Sequence, residues 1–221
     1  MSFFDFLYLC VKIKQFMSRA ESSQSYRAAV RKKVISVAND EFTRQGVSAV
    51  KMDDIASTLS ISKRTLYEIF GNKEDLLLAC MMEWMDKEEE RRNKAICSSK
   101  NVIEQFLDFY HAKLKEMSKA SPMLYTDIVK YPKVMAYMEK VRKRSLDKDY
   151  EFFKRGVEEG LFRSDVNYML VMQFAQAIVD YLLSHAVPKK ATVEEIFRNV
   201  VLVTIRGLCT SKGISLLDKG I

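Results

Sequence analysis

Glycine and proline are scarce in this chain, with 7 and 3 residues in 221. Sandwiches and barrels need turn residues at short intervals, so the shortage excludes most all-β folds and leaves helices as the building material. Histidine is limited to His111 and His185, and the four cysteines, Cys10, Cys80, Cys97 and Cys209, form no CxxC pair and no Cys/His set at metal-ligand spacing. A metal site is therefore not expected, and the thiols read as reduced residues of a cytoplasmic protein. Apolar stretches are broken by charge before they reach the roughly 18 to 20 residues of a membrane-spanning helix. A Gly-rich phosphate loop is missing, as is any locally supported Ser/His/Asp or Cys/His set. No cofactor is expected, and the chain does not read as an enzyme.

What is present is apolar bulk. Hydrophobic residues make up 48%, including 13 Phe, 10 Tyr and 12 Met, enough to bury a core and too many for a disordered chain. The length suits one domain of about 200 residues or a small module joined to a larger one. A net charge of +7 is compatible with a polyanionic partner without identifying one. Phe3 to Ile13 form an apolar run, but Asp5 lies inside it, no cation precedes it and no small-residue cleavage site follows, which argues against a signal peptide. An extra helix, a membrane-surface helix and translated upstream sequence with the start at Met17 are the readings left. The Ser-rich lead after Met17 favours the last, and residues 1–25 are treated as an extension.

Helical periodicity begins at residue 26. Val30, Val34, Val37, Ala38 and Phe42 line one face of a helix that Gly46 ends. Met52, Ile55, Ala56 and Leu59 predict a short second helix. After Ser60, Ile61 and Ser62 comes a third, from Lys63 to Phe70, with Leu66, Ile69 and Phe70 inward and Ser62 as N-cap. Asn72 with Asp75 resembles a capping box for a fourth helix running to about Ile96.

Two short helices joined by three residues and braced by a longer one fit a helix-turn-helix, although short helix pairs also occur in ordinary helical cores. With Leu66, Ile69 and Phe70 inward, Lys63, Arg64, Thr65, Tyr67 and Glu68 are left on the outer face and N-terminal end. Lys and Arg reach guanine N7 and O6, hydroxyls reach phosphates or base edges, and the helix N-terminus favours an anion. Residues 26–73 hold nine Lys and Arg against five Asp and Glu, a modest local excess.

The run GVSAVKMDDIASTLSISKRTLYEIFGNKEDL, Gly46 to Leu76, strongly resembles the DNA-binding region of TetR-family transcriptional regulators. The matching features are Gly46, Met52 to Ala56, Ser62, Thr65-Leu66-Tyr67 with Phe70, and Lys73 to Leu76. Gly156 to Asn167 also looks like the family's link between its seventh and eighth helices. The resemblance implies base contacts from Lys63 and Arg64 and phosphate or base contact from Tyr67, whose alternative role is a packed ring with a wet hydroxyl. It implies phosphate contact from Thr65, with Ser62 beside it, and a backbone-holding role for Lys73. Two departures stand out. Val50 and Lys51 replace the usual Thr or Ser before the second helix, so Lys51 would contact phosphate as a charge while the cap is lost. Ser60 replaces a common Gly in the turn, which predicts a left-handed serine.

The resemblance implies double-stranded DNA as partner and an all-α protein: a three-helix DNA-binding domain over residues 26–75, then an effector-binding and dimerisation domain over residues 76–221. About nine helices are expected, the later ones at Val102 to Lys119, Pro122 to Lys130, Pro132 to Glu159, Asp165 to His185 and Thr192 to Thr210. The last two are apolar on more than one stripe, which predicts a homodimer through residues 165–210. A small, largely apolar effector is expected among helices five to eight, with Phe109, Tyr110, His111, Met123, Tyr125, Met135, Phe153 and Phe174 as candidate contacts. The expected function is repression of transcription, relieved by that effector. A helical protein-interaction module that keeps the fold without binding DNA is the rival reading.

Overall fold

Residues 25–45 form helix α1, whose Val30, Val34, Ile35, Ala38 and Phe42 are buried in the spacing the sequence predicts. The computed structural model describes residues 25–98, 100–185 and 192–221. The expectations for residues 1–16 and Met17 lie outside them. After α1 come α2 (Met52–Thr58), α3 (Lys63–Ile69), α4 (Lys73–Ile96), α5 (Val102–Met117) and α6 (Pro122–Ile128). Then follow α7 (Pro132–Glu158), α8 (Tyr168–His185), α9 (Val193–Leu208) and α10 (Ser211–Leu217). The chain is all-helical, with a single isolated bridge between Phe162 and Cys209 among the described residues.

Ten helices rather than nine are described, and α10 is the one the periodicity missed. It has seven residues, contains Gly213, and starts where the preceding apolar pattern fades, so no amphipathic repeat announces it. Cys209 adopts an extended conformation between α9 and α10, and the Thr210 hydroxyl accepts from the Gly213 N–H to cap the new helix. The start of α8 also moves, from Asp165 to Tyr168. Arg163 and Asp165 close on each other as an ion pair, and the Asn167 side chain accepts from the Leu170 N–H.

Two apolar clusters hold the molecule. The first joins α1, α2, α3 and the start of α4 around Phe42, Ile55, Leu66 and Leu76, and it also takes in Ile128 of α6 and Val134 of α7. The second gathers Ile103, Phe106 and Tyr110 of α5 with Leu161, Phe162, Tyr168, Ile205 and Leu217. Between α7 and α8 the chain turns tightly enough that a Cβ on Gly156 would lie 2.1 Å from the Phe162 ring. That contact explains the glycine in the link segment. Along its length α4 is bound to α7 by Lys133–Asp75 at 2.6 Å, Arg92–Asp149 at 2.9 Å and a Lys148–Glu89 pair.

Gly46 brings the loop before α2 close against α6. Its φ is +84°, and its amide donates to the Phe42 carbonyl at 2.9 Å to end α1. A Cβ there would sit 2.7 Å from the Met123 Cβ on α6. Gly46→Ala combines left-handed strain with overpacking and is expected to cost about 2 to 4 kcal/mol in urea unfolding. A loss below about 0.5 kcal/mol would contradict this close approach.

Candidate nucleic-acid interface

Helix α2 begins at Lys51 without a side-chain cap, since lysine carries no acceptor. Instead the Asp54 carboxylate accepts from the Lys51 N–H at 3.2 Å, which recovers part of the lost capping and leaves the Lys51 ammonium exposed. The turn then follows the strained path anticipated for serine: Ser60 has φ +53°, with its N–H donating to Ser57 and the Ile61 N–H to Ala56, each at 3.0 Å. Ser62 caps α3, its hydroxyl accepting from the Thr65 N–H at 3.0 Å and lying 2.8 Å from the Thr65 hydroxyl. One of the two hydroxyl hydrogens must be used in that contact. The other is free to donate outward.

Leu66 is fully buried and Phe70 nearly so, which fixes the rotation of α3. The Arg31 guanidinium lies 5.3 Å from the centre of the Phe70 ring and ties α1 to the end of the same helix. Lys63, Arg64, Tyr67 and Glu68 are consequently exposed, with the Tyr67 ring 46% accessible. The two cations are not idle. Lys63 pairs with Asp53 of α2, and Arg64 with Glu68 one turn along α3 at 2.8 Å. Each bond raises its cation's pKa further, while Arg64 holds the Glu68 carboxyl below its usual value.

Lys73 behaves differently. Its ammonium donates to the Ser48 carbonyl at 3.3 Å, and burial lowers its pKa against the opposing pull of Asp127. Its ammonium thus binds the protein's own backbone. Lys51, Ser62, Lys63, Arg64, Thr65 and Tyr67 lie together around the start of α2 and along α3, with Lys73 behind them. Asp53 as the partner of Lys63 could not be read from a ten-residue separation, whereas the Arg64–Glu68 pair was visible as i,i+4 spacing.

The family model described as bacterial regulatory proteins, tetR family, matches residues 34–80. The HTH-type transcriptional repressor KstR2 of Mycobacterium tuberculosis is 25% identical over 150 residues, covering 65% of this chain and 74% of that protein. Residues 34–80 are a TetR-family DNA-binding domain. KstR2 of Mycolicibacterium smegmatis is 21% identical over 200 residues, covering 88% of this chain and 98% of its own. The fold likeness extends to a transcriptional regulator of Saccharomonospora viridis solved in complex with choline, at 17% identity, a TM-score of 0.63, and coverage of 83% and 99%. The protein is a DNA-binding regulator of transcription and not an enzyme.

The eight effector candidates are not brought together. Tyr110 and Phe153 enter the second cluster, Tyr110 stacked between Phe106 and Phe197 at 5.8 and 5.7 Å, and Phe153 stacked on Tyr168 at 5.0 Å. Met135 packs against the first cluster instead. Tyr125 is half-buried, with its pKa raised by burial and by Glu116. Phe109, His111, Met123 and Phe174 are exposed. Residue type identified bulky groups, but the helix rotation that turns Phe106 and Tyr110 inward turns Phe109 outward. Two surface clefts of about 330 and 490 Å³, one beside Tyr150 and Tyr168 and one between α1 and α4, include none of the eight. Among the described residues no three His, Cys, Asp or Glu are grouped to hold a metal, and no helix is long and apolar enough to cross a membrane.

The Lys63–Asp53 pair yields a test. Asp53→Asn releases Lys63 and removes a negative charge from the same surface, so binding to a random-sequence duplex at low salt should tighten by about threefold or more, with folding unaffected. Unchanged or weaker binding would mean that Lys63 does not face DNA.

Proposed function

We propose that the protein is a repressor that binds a pseudo-palindromic operator as a homodimer and leaves it when a small, largely apolar effector binds. The observation that carries this reading is the outward presentation of Lys63, Arg64 and Tyr67 from a helix locked by Leu66 and Phe70. Lys63 and Arg64 exchange their exposed carboxylate partners for guanine N7 and O6, a low-cost trade because exposed pairs contribute little. Tyr67, Thr65, Ser62 and Lys51 hold phosphates, and Lys73 holds the loop behind them. Repression is favoured over activation by the names of the relatives.

The dimer reading rests on a stripe of α8. Leu170, Phe174 and Tyr181 are 60, 68 and 60% exposed, Ala177 lies on the same line, and Val203 of α9 is 71% exposed. An exposed apolar stripe of this kind along α8 favours burial against a second copy through residues 165–210. Within each chain, residues 26–75 read DNA and residues 76–221 carry the effector site and the dimer contact. Differential effector affinity of about 1 to 3 kcal/mol between the two states is enough to release DNA. The α5 to α8 region remains the proposed effector site; there the Lys113 ammonium stands 4.1 Å from the centre of the Trp84 ring and 5.9 Å from that of Phe109.

Selection of bound duplexes from a random pool, with wild type and with Lys63→Glu/Arg64→Glu, tests the reading. Wild type should enrich a palindrome and the double variant should enrich nothing. Enrichment retained by the variant would exclude α3 as the reading helix. No enrichment by wild type would favour a protein-interaction module.

A further inference from the structure

Asp127 is one of two polar residues buried among the described residues, Gln105 being the other, and it is only 1% exposed. A buried carboxylate is costly unless its oxygens are satisfied, and here they are satisfied by Lys130 nearby and by two groups of one loop residue far away in sequence. Asp127 Oδ2 accepts from the Ser48 N–H at 2.6 Å, and Oδ1 accepts from the Ser48 hydroxyl at 2.5 Å and from Lys130 at 2.7 Å. Burial opposes ionisation, but the bonds from Lys130 and Ser48 prevail and hold the carboxyl down at about 2. Ser48 spends its remaining polar group, the carbonyl, on Lys73 at the start of α4.

The neighbouring contacts share this arrangement. The Ser121 N–H, at the cap of α6, donates to the Thr43 carbonyl of α1 at 2.7 Å. At the start of α7, the Lys133 N–H donates to Glu74 at 2.8 Å and its ammonium to Asp75 at 2.6 Å. These polar contacts from α6 and α7 reach the loop before α2 and the start of α4. Ser48 stands three residues before Lys51, and Val50 between them is buried, so displacement of Ser48 is passed to the start of α2. From there it reaches α3 through the packed turn. Hydrogen bonds of this kind are directional and a close-packed interior does not deform smoothly, so a small movement of α6 breaks the arrangement instead of stretching it.

We propose that Asp127 is a positioning residue for DNA binding: from α6 it fixes the loop that leads into α2, and with it the placement of α3, although it is buried and touches no DNA. The proposal rests on the operator-binding reading above and adds the point at which the second part of the chain governs the first. Charge alone gives the opposite sign, because deleting a carboxylate near a DNA-binding surface strengthens binding.

The test uses the full chain, the operator enriched by wild type, and a random duplex of equal length, with affinity read by fluorescence anisotropy. Asp127→Ala should weaken operator binding by about tenfold or more while random-duplex binding becomes no weaker, since no phosphate contact is lost. Ser48→Ala should weaken operator binding by about threefold, and the double variant should be no weaker than Asp127→Ala, because both act through one contact. Asp127→Asn, which keeps an acceptor for the Ser48 N–H, should recover part of the loss. Operator affinity of a folded Asp127→Ala protein within twofold of wild type, or tighter, would overturn the proposal. If that variant fails to fold, Ser48→Ala decides, and wild-type affinity there overturns it equally. Failure of wild type to enrich any operator would instead remove the function on which the proposal rests.

Discussion

The burial of Leu66 and Phe70 is the constraint from which the DNA-binding surface follows. A seven-residue helix has little stability of its own, so tertiary contacts decide its orientation. Roughly 1.5 to 3 kcal/mol accompanies full burial of a leucine or phenylalanine side chain, more than an exposed ion pair contributes. Leu66 therefore sets the rotation of α3, and the exposure of Lys63, Arg64 and Tyr67 is its geometric consequence. Asp53 and Glu68 then hold the cations in place without burying them. The surface is ordered, charged and open.

The reading unit is not a detached module. Its apolar cluster includes Ile128 and Val134, so α6 and α7 complete the core that α1 to α4 begin. Polar contacts add direction to that packing, at Ser48 and Asp127 and at Lys133 with Glu74 and Asp75. Ion pairs continue along α4 to Glu89 and Arg92, which makes α4 a strut shared between the two parts and not a free lever. Under the proposed function, an effector would act on DNA affinity by shifting where α6 and α7 seat against the loop before α2.

Local features were legible in the sequence. The bounds of α4, the Ser62 cap and the inward Leu66 follow from short-range spacing and capping chemistry, the left-handed Ser60 from the glycine that the resembling family commonly has in that turn, and all are found. The helix count fell short at α10, because seven residues do not establish a period. Capping before α2 was expected to be lost, and Asp54 restores part of it from three residues away. The Asp127–Ser48 contact spans 79 residues, and nothing local marks Asp127 as buried. The effector candidates dispersed for a related reason: aromatic and methionine content says that a helix is rich in packing groups, not which partner each group meets.

The central claim is that two copies of α3 read one DNA site together. Hydroxyl-radical footprinting of the selected operator, combined with the stoichiometry of the complex, measures this directly. The account predicts two protected patches on one duplex, with centres about one helical turn of 34 to 36 Å or a multiple apart, and two chains bound. A single protected patch with one chain per duplex would contradict it.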